Sequence, residues 1–437
     1  MRPTLSWADL PGRRVGVLGL GREGEANVRA CRVRDIEPVL VDDRPRAAGV
    51  LATGAGGLEA LLDCDVVIKT PGVSPYGPTV RALAAAKVPV VGGLGLWLAG
   101  ADRSRVACIT GTKGKSTTTA IAGHLLTRLG YRALVGGNIG VPPFDPPVGA
   151  DFDFWIIEVS SYQAVDVPVS PPVVAVTSLS PDHLPWHRDD PETYYRDKLS
   201  LAAQPGAELT VANGDSALLR ERRALLGPRV RWVHETDDAG ATWMQPLGLL
   251  GGHNRRNALI AREALSALGV PEADDPPALG AAAEGFGGLE SRLQVIGEID
   301  GVTFVDDSLS TNVLPALAAV DAFADRRVAL IVGGQDRGID YRTLGEGLRR
   351  RTTPLLLLAI PENGGRILDA VTAAGAGRFV TVRAAPDLAS ATRAGFDWAR
   401  SDGVVLLSPA AASFGVFRDY RQRGEAFAAA MAACGDA

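Results

Sequence analysis

Residues Arg105-Val-Ala-Cys-Ile-Thr110-Gly111-Thr112-Lys113-Gly114-Lys115-Ser116-Thr117 run from an apolar strand through a glycine-lysine turn into a helix start. The helical stretch continues to Leu129 and stops at Gly130, a residue suited to a helix C-terminus. Strand, tight turn and helix in that order are the unit of a parallel α/β sheet. The turn itself reads as a phosphate loop. Backbone amides there cradle phosphate oxygens, the Lys115 ammonium offsets phosphate charge, and the Ser116 hydroxyl is placed to ligate Mg²⁺. The strict spacing G-x-x-x-x-G-K-[ST] fails, because Ile109 stands where the first glycine belongs. A merely flexible glycine connector would explain neither the lysines nor the Ser-Thr-Thr-Thr helix start.

Lysine is scarce in this chain, with five lysines against forty arginines in 437 residues. Lys113 and Lys115 lie in the phosphate loop, and Lys198 follows a loop rich in His and Asp. Lysine is a compact charge that can become a neutral amine, whereas arginine stays protonated. Positions that keep lysine are therefore expected to need that property. Lys69 and Lys87 read as chance survivors.

Outward from the loop, the chain falls into three α/β blocks, expected at 1–103, 104–293 and 294–437. The first carries the strand Arg14-Val-Gly-Val-Leu, the turn Gly19-Leu20-Gly21-Arg22-Glu23-Gly24, and a second strand ending at Asp42-Asp43-Arg44. Asp42 lies eighteen residues past the last glycine, which is dinucleotide-binding spacing, although the motif does not say which nucleotide. The alternative is a tight strand–helix turn with no ligand.

In the second block, Glu158 ends the strand Phe154-Trp-Ile-Ile, where a carboxylate faces the ligand crevice of an open sheet. It could share a Mg²⁺ with Ser116, or simply sit at a helix N-terminus. The segment Asp182-His183-Leu-Pro-Trp-His187, with Lys198 behind it, reads as a second cation site. Spacing does not choose between His183 and His187. His124 falls in mid-helix and reads as an ordinary packed histidine. Asn254 and Asn257 share a helix face and could contact a nucleotide, with a simple N-cap the plain reading of Asn254.

The bulk numbers describe an ordinary globular protein, 46% hydrophobic and 22% charged. A net charge of −5 argues against nucleic-acid binding and against a polybasic membrane anchor. No apolar run approaches the roughly 20 residues of a membrane span, and the opening residues, lacking an apolar stretch, suggest no signal peptide. Four scattered cysteines suit a reducing compartment, so the cytoplasm is expected.

Taken together, these motifs resemble the Mur ligase family of ATP-dependent enzymes that build the peptidoglycan stem peptide. The resemblance covers nearly the whole chain. It rests on Gly111-Thr-x-Gly-Lys-Ser-Thr117, Gly137-Asn138-Ile-Gly140, Glu158-x-Ser-Ser-Tyr-Gln, Asp182-His183-Leu, Tyr195-x-x-Lys198, His253-Asn254-x-x-Asn257-Ala, Arg292, Asp307-Ser308 and Ser408-Pro-Ala. The first block, with Gly19-Leu-Gly21, Asp42-Asp-Arg44 and Thr70-Pro71-Gly72, is most similar to the glutamate-adding members.

The resemblance implies a Rossmann-like domain holding the UDP of UDP-N-acetylmuramoyl-L-alanine rather than NAD. A central P-loop ATPase-type domain and a C-terminal Rossmann-like domain would follow. ATP would activate the L-alanine carboxylate as an acyl phosphate, which the amino group of glutamate then attacks. Gly19, Leu20, Gly21, Arg22, Asp42, Arg44, Thr70, Pro71, Gly72, Asn138 and His183 would bind the UDP-substrate. Gly111 through Thr117, Asn254, Asn257, Arg292 and Asp307 would bind ATP, with the third domain closing over it. Lys115, Glu158, His183 and Lys198 would be catalytic. Ser116 and Glu158 would hold one Mg²⁺, and His183 a second, with Lys198 an oxygen ligand once carbamylated. Thr311, Arg337, Ser413, Phe414 and Tyr420 would form the glutamate pocket. A monomer is expected.

The departures concern the amino acid. Leu309 replaces a lysine that lies near the incoming amino acid in D-glutamate-adding enzymes, and Arg337 replaces another. Family frequency puts D-glutamate first, while Asp307-Ser-Leu-Ser-Thr and Gly334-Gln-Asp-Arg-Gly look like a branch that adds L-glutamate. A folylpolyglutamate or cyanophycin synthetase would share the ATP core but not the first domain. A nicotinamide-dependent oxidoreductase would leave the phosphate loop and Lys198 idle.

Overall fold

Strands β1 (Val15–Leu18), β2 (Val39–Asp42), β3 (Leu51–Ala52), β4 (Val66–Lys69) and β5 (Val90–Gly92) form a wholly parallel sheet ordered β3-β2-β1-β4-β5. The coordinates are a computed structural model that describes residues 2–146, 150–238, 242–375, 377–400 and 402–435. Alternate residues of these strands feed two cores. Val15, Val17, Val66 and Ile68 pack with Trp7 and Phe144 on one face, and Leu18, Val41 and Val67 pack with Leu61 and Leu83 on the other. Burial on both faces is why β1 and β4 read as continuous apolar runs. Chain order reverses between β1 and β4, so the glycine turn after β1 and Thr70-Pro71-Gly72 after β4 meet at a topological switch point.

The second sheet contains β6 (Val106–Thr110), β7 (Ala133–Gly137), β8 (Phe154–Glu158), β9 (Val173–Val176), β10 (Leu209–Asn213) and β11 (Arg229–Val233). All are parallel, in the order β11-β10-β9-β6-β8-β7. The phosphate loop thus leaves the C-terminal end of β6 between the ends of β8 and β9. The third sheet contains β12 (Gln294–Ile299), β13 (Val302–Asp306), β14 (Val328–Val332), β15 (Leu355–Ala359), β16 (Val380–Ala384) and β17 (Val404–Leu407). Its order is β12-β13-β17-β14-β15-β16, and only β12 runs antiparallel. Leu330, Leu357 and Leu406 fill one of its cores, and Ile331, Leu358 and Leu407 the other. The chain is α/β throughout, as expected.

The described residues group into two compact units, Met1–Leu247 with Arg255–Phe286, and Gly248–Asn254 with Gly287–Ala437. The four cysteines are buried and unpaired. No helix among the described residues is long and apolar enough to cross a membrane.

Lys69, read from the sequence as a chance survivor, is instead an interior residue at 1% exposure, whereas Lys87 is exposed. The Lys69 ammonium sits 2.5 Å from Asp166 Oδ2, joining the end of β4 to the segment before β9. Removing one member of a buried pair strands the other charge in a low-dielectric interior. Lys69→Met is therefore expected to lower stability by about 3–5 kcal/mol, and Lys69→Met/Asp166→Leu to recover most of it. Chemical denaturation of the two variants checks this.

Candidate active site

The phosphate loop is fixed from three sides. Gly111 has φ +138°, and a Cβ there would lie 2.2 Å from Thr177 Oγ1, so only glycine fits against the end of β9. Thr112 N donates to Ser178 O at 2.9 Å, and Lys113 N donates to Ser178 Oγ at 2.8 Å. The Thr112 hydroxyl donates to Ser180 O at 3.0 Å and meets the Tyr194 hydroxyl at 2.8 Å. Gly114, at φ +89°, leaves room for Asn257, whose Oδ1 would be 2.6 Å from an added Cβ. Ser116 and Thr117 open the helix Lys115–Arg128, where exposed backbone amides and the helix dipole favour an anion. The Lys115 ammonium donates to Thr112 O at 3.2 Å.

Lys198, on the helix Pro191–Leu199, is 2% exposed, and its amine donates to Gly111 O at 2.9 Å. Burial, reinforced by the neighbouring Lys115, drives its pKa well below that of an ordinary lysine. Opposite, Glu158 is 1% exposed at the end of β8. Its Oε1 accepts from Asn138 Nδ2 at 2.7 Å, while its buried Oε2 has no hydrogen-bond partner among the described residues. An orphaned, buried carboxylate oxygen is costly unless something positive completes it. That oxygen is what the site offers a divalent cation. Asn138, expected to face the UDP-substrate, has its amide committed to Glu158.

The structure separates the two candidate histidines. The His187 ring is fully buried, with Nδ1 2.7 Å from Asp197 Oδ2 and Nε2 3.1 Å from Ser161 Oγ. Both nitrogens are used, so it is a structural histidine. The His183 side chain is 60% exposed, at φ +51° and beside Asp182. Partial desolvation on the side facing the loop, with Lys113, Lys198 and Lys115 adding to it against Asp182, lowers the His183 pKa. Asp182 bridges to Lys113 at 3.3 Å. Asp197 also accepts from the Tyr76 hydroxyl, at 2.8 and 2.9 Å, which ties the first sheet to the helix bearing Lys198. Sequence reasoning missed this Tyr76–Asp197–His187–Ser161 network: Ser161 and His187 fell inside motifs read for other roles, and neither Tyr76 nor Asp197 was singled out. His124 packs edge-on against Phe286, in keeping with a packed histidine.

At the switch point of the first sheet lies a cleft of about 400 Å³ lined by residues of the glycine turn, Asp42, Asp43 and Thr70–Val73. Asp42 accepts from the amides of Leu20 and Arg44 at 2.7 and 2.8 Å. Arg22 donates to Asn138 O at 2.8 Å. Eight of the expected residues, Gly19, Leu20, Gly21, Arg22, Asp42, Thr70, Pro71 and Gly72, are thus brought together, and Arg44 is held beside them.

In the second unit, Asp307 is buried after β13 and accepts from Leu293 N at 3.1 Å and Ser408 Oγ at 2.6 Å. Burial, against Ser310, Ser408, Leu293 and Arg292, lifts its carboxyl to about 6. The Arg337 guanidinium lies 5.6 Å from the centre of the exposed Phe414 ring, after β14 and β17 respectively. Ser413 is buried beside Phe414, Thr311 is exposed after β13, and Tyr420 opens the helix Tyr420–Gly435. Leu309 is half-buried and apolar where the lysine was expected. Asn254 donates to Leu250 O at 2.9 Å, within the turn that starts its helix.

Residues 109–265 match the Mur ligase middle domain, and residues 291–411 match the Mur ligase glutamate ligase domain. A UDP-N-acetylmuramoyl-L-alanine–L-glutamate ligase of a Micromonospora species is 41% identical over 97% of this chain and 97% of its own length. Its namesake in Xanthomonas euvesicatoria pv. vesicatoria is 39% identical over 96% of this chain and 95% of its own. Among solved structures, the UDP-N-acetylmuramate–alanine ligase of Thermotoga maritima superposes with a TM-score of 0.55 at 16% identity, covering 96% of this chain and 99% of that one. The MurF ligase of the same organism, solved with ADP, gives 0.58 at 13% identity, covering 100% and 98%. These two likenesses are of fold.

The geometry makes His187 a folding residue and His183 a surface one. His187→Ala is expected to destabilise the protein by about 3 kcal/mol, since it strands a buried carboxylate and hydroxyl. His183→Ala should stay within about 0.5 kcal/mol. Thermal unfolding of both variants decides.

Proposed function

The chain belongs to the Mur ligase family, and we propose that it joins L-glutamate to UDP-N-acetylmuramoyl-L-alanine at the expense of ATP. The observation that carries the reaction type is the juxtaposition of the phosphate loop, the buried Lys198 amine and the half-satisfied Glu158 carboxylate. The relatives at 41% and 39% identity are named for L-glutamate, and Leu309 offers no donor to a D-glutamate carboxylate. D-glutamate, placed first on family frequency, becomes the alternative. The blocks 1–103, 104–293 and 294–437 would serve the UDP-substrate, ATP and glutamate respectively.

The cleft after β1 and β4 would receive the UDP moiety, and the amides of residues 111–116 the ATP phosphates. The L-alanine carboxylate attacks the γ-phosphorus and ADP leaves, giving an acyl phosphate. Lys115 and the loop amides stabilise charge on the transferring group without reorganising. The glutamate amine then attacks the acyl carbon, loses a proton, and phosphate departs. Ser116, Glu158 and His183 fit the donor set of Mg²⁺, which when bound neutralises phosphate charge. A lysine held neutral by burial can add carbon dioxide and lose a proton, so Lys198 would become an anionic carbamate ligand beside Lys115. Asn254, Asn257, Arg292 and Asp307 are assigned to ATP, and Thr311, Arg337, Ser413, Phe414 and Tyr420 to glutamate, by their match to the family pattern.

Phosphate release with ATP, Mg²⁺ and UDP-N-acetylmuramoyl-L-alanine tests this directly. Release is expected with L-glutamate and not with D-glutamate. The reverse result would restore the D-glutamate reading, and none with either would sink the ligase reading. Lys198→Arg, which fixes a positive charge there and cannot form the carbamate, is expected to lose at least about a hundredfold in kcat. Near-normal turnover would remove Lys198 from the chemistry.

A further inference from the structure

The cleft of the first sheet is lined by a carboxyl group that the UDP-binding residues above do not include. Glu23 is the second residue of the helix Arg22–Arg32, which begins directly at the glycine turn. Its Oε2 accepts from Gln163 Nε2 at 2.9 Å. Gln163 in turn accepts, through Oε1, from Ser160 N and Ser160 Oγ at 2.9 and 3.1 Å. Because the Ser160 amide can only donate, the Gln163 amide is locked with its NH₂ towards Glu23. The carboxyl group is therefore held in place before any ligand arrives.

That place is the positive end of a helix, where a glycine turn presents amides to a diphosphate. An ionised Glu23 competes with the diphosphate for the same partial charge. The charged groups around it do not remove the conflict. The Lys69 ammonium is paired with Asp166, Arg22 donates to Asn138 O, and Asp42 and Asp43 add further acid to the cleft lining. Burial, with Asp166 adding to it, raises the Glu23 carboxyl to about 7 against Gln163, Lys69 and Arg22. A neutral carboxyl is thus within reach at ordinary pH.

We propose that Glu23 is a further determinant of substrate binding, whose carboxyl group takes up one proton from solvent as the diphosphate enters and donates it in a hydrogen bond to a phosphate oxygen. The inference rests on the UDP reading of this cleft. Its sign is fixed by linkage. Well below pH 7 the group already carries its proton, so affinity is flat. Above pH 7 each bound substrate brings in about one proton, and affinity falls by up to about tenfold per pH unit. The substrate's diphosphate and carboxylate are ionised throughout this range and contribute no slope.

Calorimetric binding of UDP-N-acetylmuramoyl-L-alanine to the full chain without ATP tests it. Titrations near pH 8 in buffers of different ionisation enthalpy count the protons, and repeats between about pH 6 and 8.5 give the slope. Uptake of about one proton is expected in the wild type and none in Glu23→Gln. The variant should bind independently of pH, and at pH 8 at least as tightly as the wild type. Wild-type binding without proton uptake, an unchanged slope in Glu23→Gln, or weaker binding by the variant at pH 8 would each overturn the proposal while leaving the UDP reading intact. The wild-type proton count stands even if the variant folds poorly. No binding at any pH would overturn both readings.

Discussion

The hydrogen bond from the Lys198 amine to the Gly111 carbonyl joins the two segments on which the site is built. It places a basic nitrogen in the interior, against the first residue of the phosphate loop, where burial and the neighbouring Lys115 pull its pKa well below that of an ordinary lysine. It also locks the loop to the helix Pro191–Leu199. The next residue back, Asp197, binds that helix to His187 and to Tyr76, in the turn that follows β4. The phosphate loop and the Tyr76–Asp197–His187–Ser161 network thus meet on one helix, Pro191–Leu199.

Such a network is costly wherever it is left incomplete, and the incomplete places are informative. Glu158 lacks a partner at one oxygen, and Lys198 is buried beside a second lysine. A cation at the first and an anionic modification at the second would satisfy both. Glu23 presents the same tension in milder form, since an acid stands in the cleft proposed to take a diphosphate. The buried Asp307 of the second unit differs, since Leu293 N reaches one of its oxygens and Ser408 Oγ the other. Fully satisfied charges elsewhere, such as Lys69 with Asp166, hold the fold together.

How much of this was legible in the sequence follows from how local each constraint is. The phosphate loop was readable because glycine and lysine spacing encodes a backbone conformation directly, and Gly111 and Gly114 do occupy positive-φ positions. The central strands were readable because burial on both faces demands unbroken apolar runs. Strands β3, β7, β10, β11, β12 and β16 were not read from the sequence, and in β11 and β16 the runs Arg-Val-Arg-Trp-Val and Val-Thr-Val-Arg-Ala put polar residues on exposed faces. Lysine scarcity flagged Lys198 but misjudged Lys69, whose partner lies 97 residues away. Spacing could not separate His183 from His187, because the difference lies in which ring finds Asp197 and Ser161. The sequence left the glutamate enantiomer open, because it bears on a few side chains, Leu309 foremost, and the L-glutamate proposal leans on the names of relatives.

The central claim is that this site activates a carboxylate by phosphorylating it. It is tested most directly by following the carboxylate oxygen. UDP-N-acetylmuramoyl-L-alanine labelled with ¹⁸O in its L-alanine carboxylate is turned over with ATP and L-glutamate, and the released phosphate is analysed by mass spectrometry. An acyl-phosphate route delivers one labelled oxygen to each phosphate. Unlabelled phosphate accompanying amide formation would contradict the account.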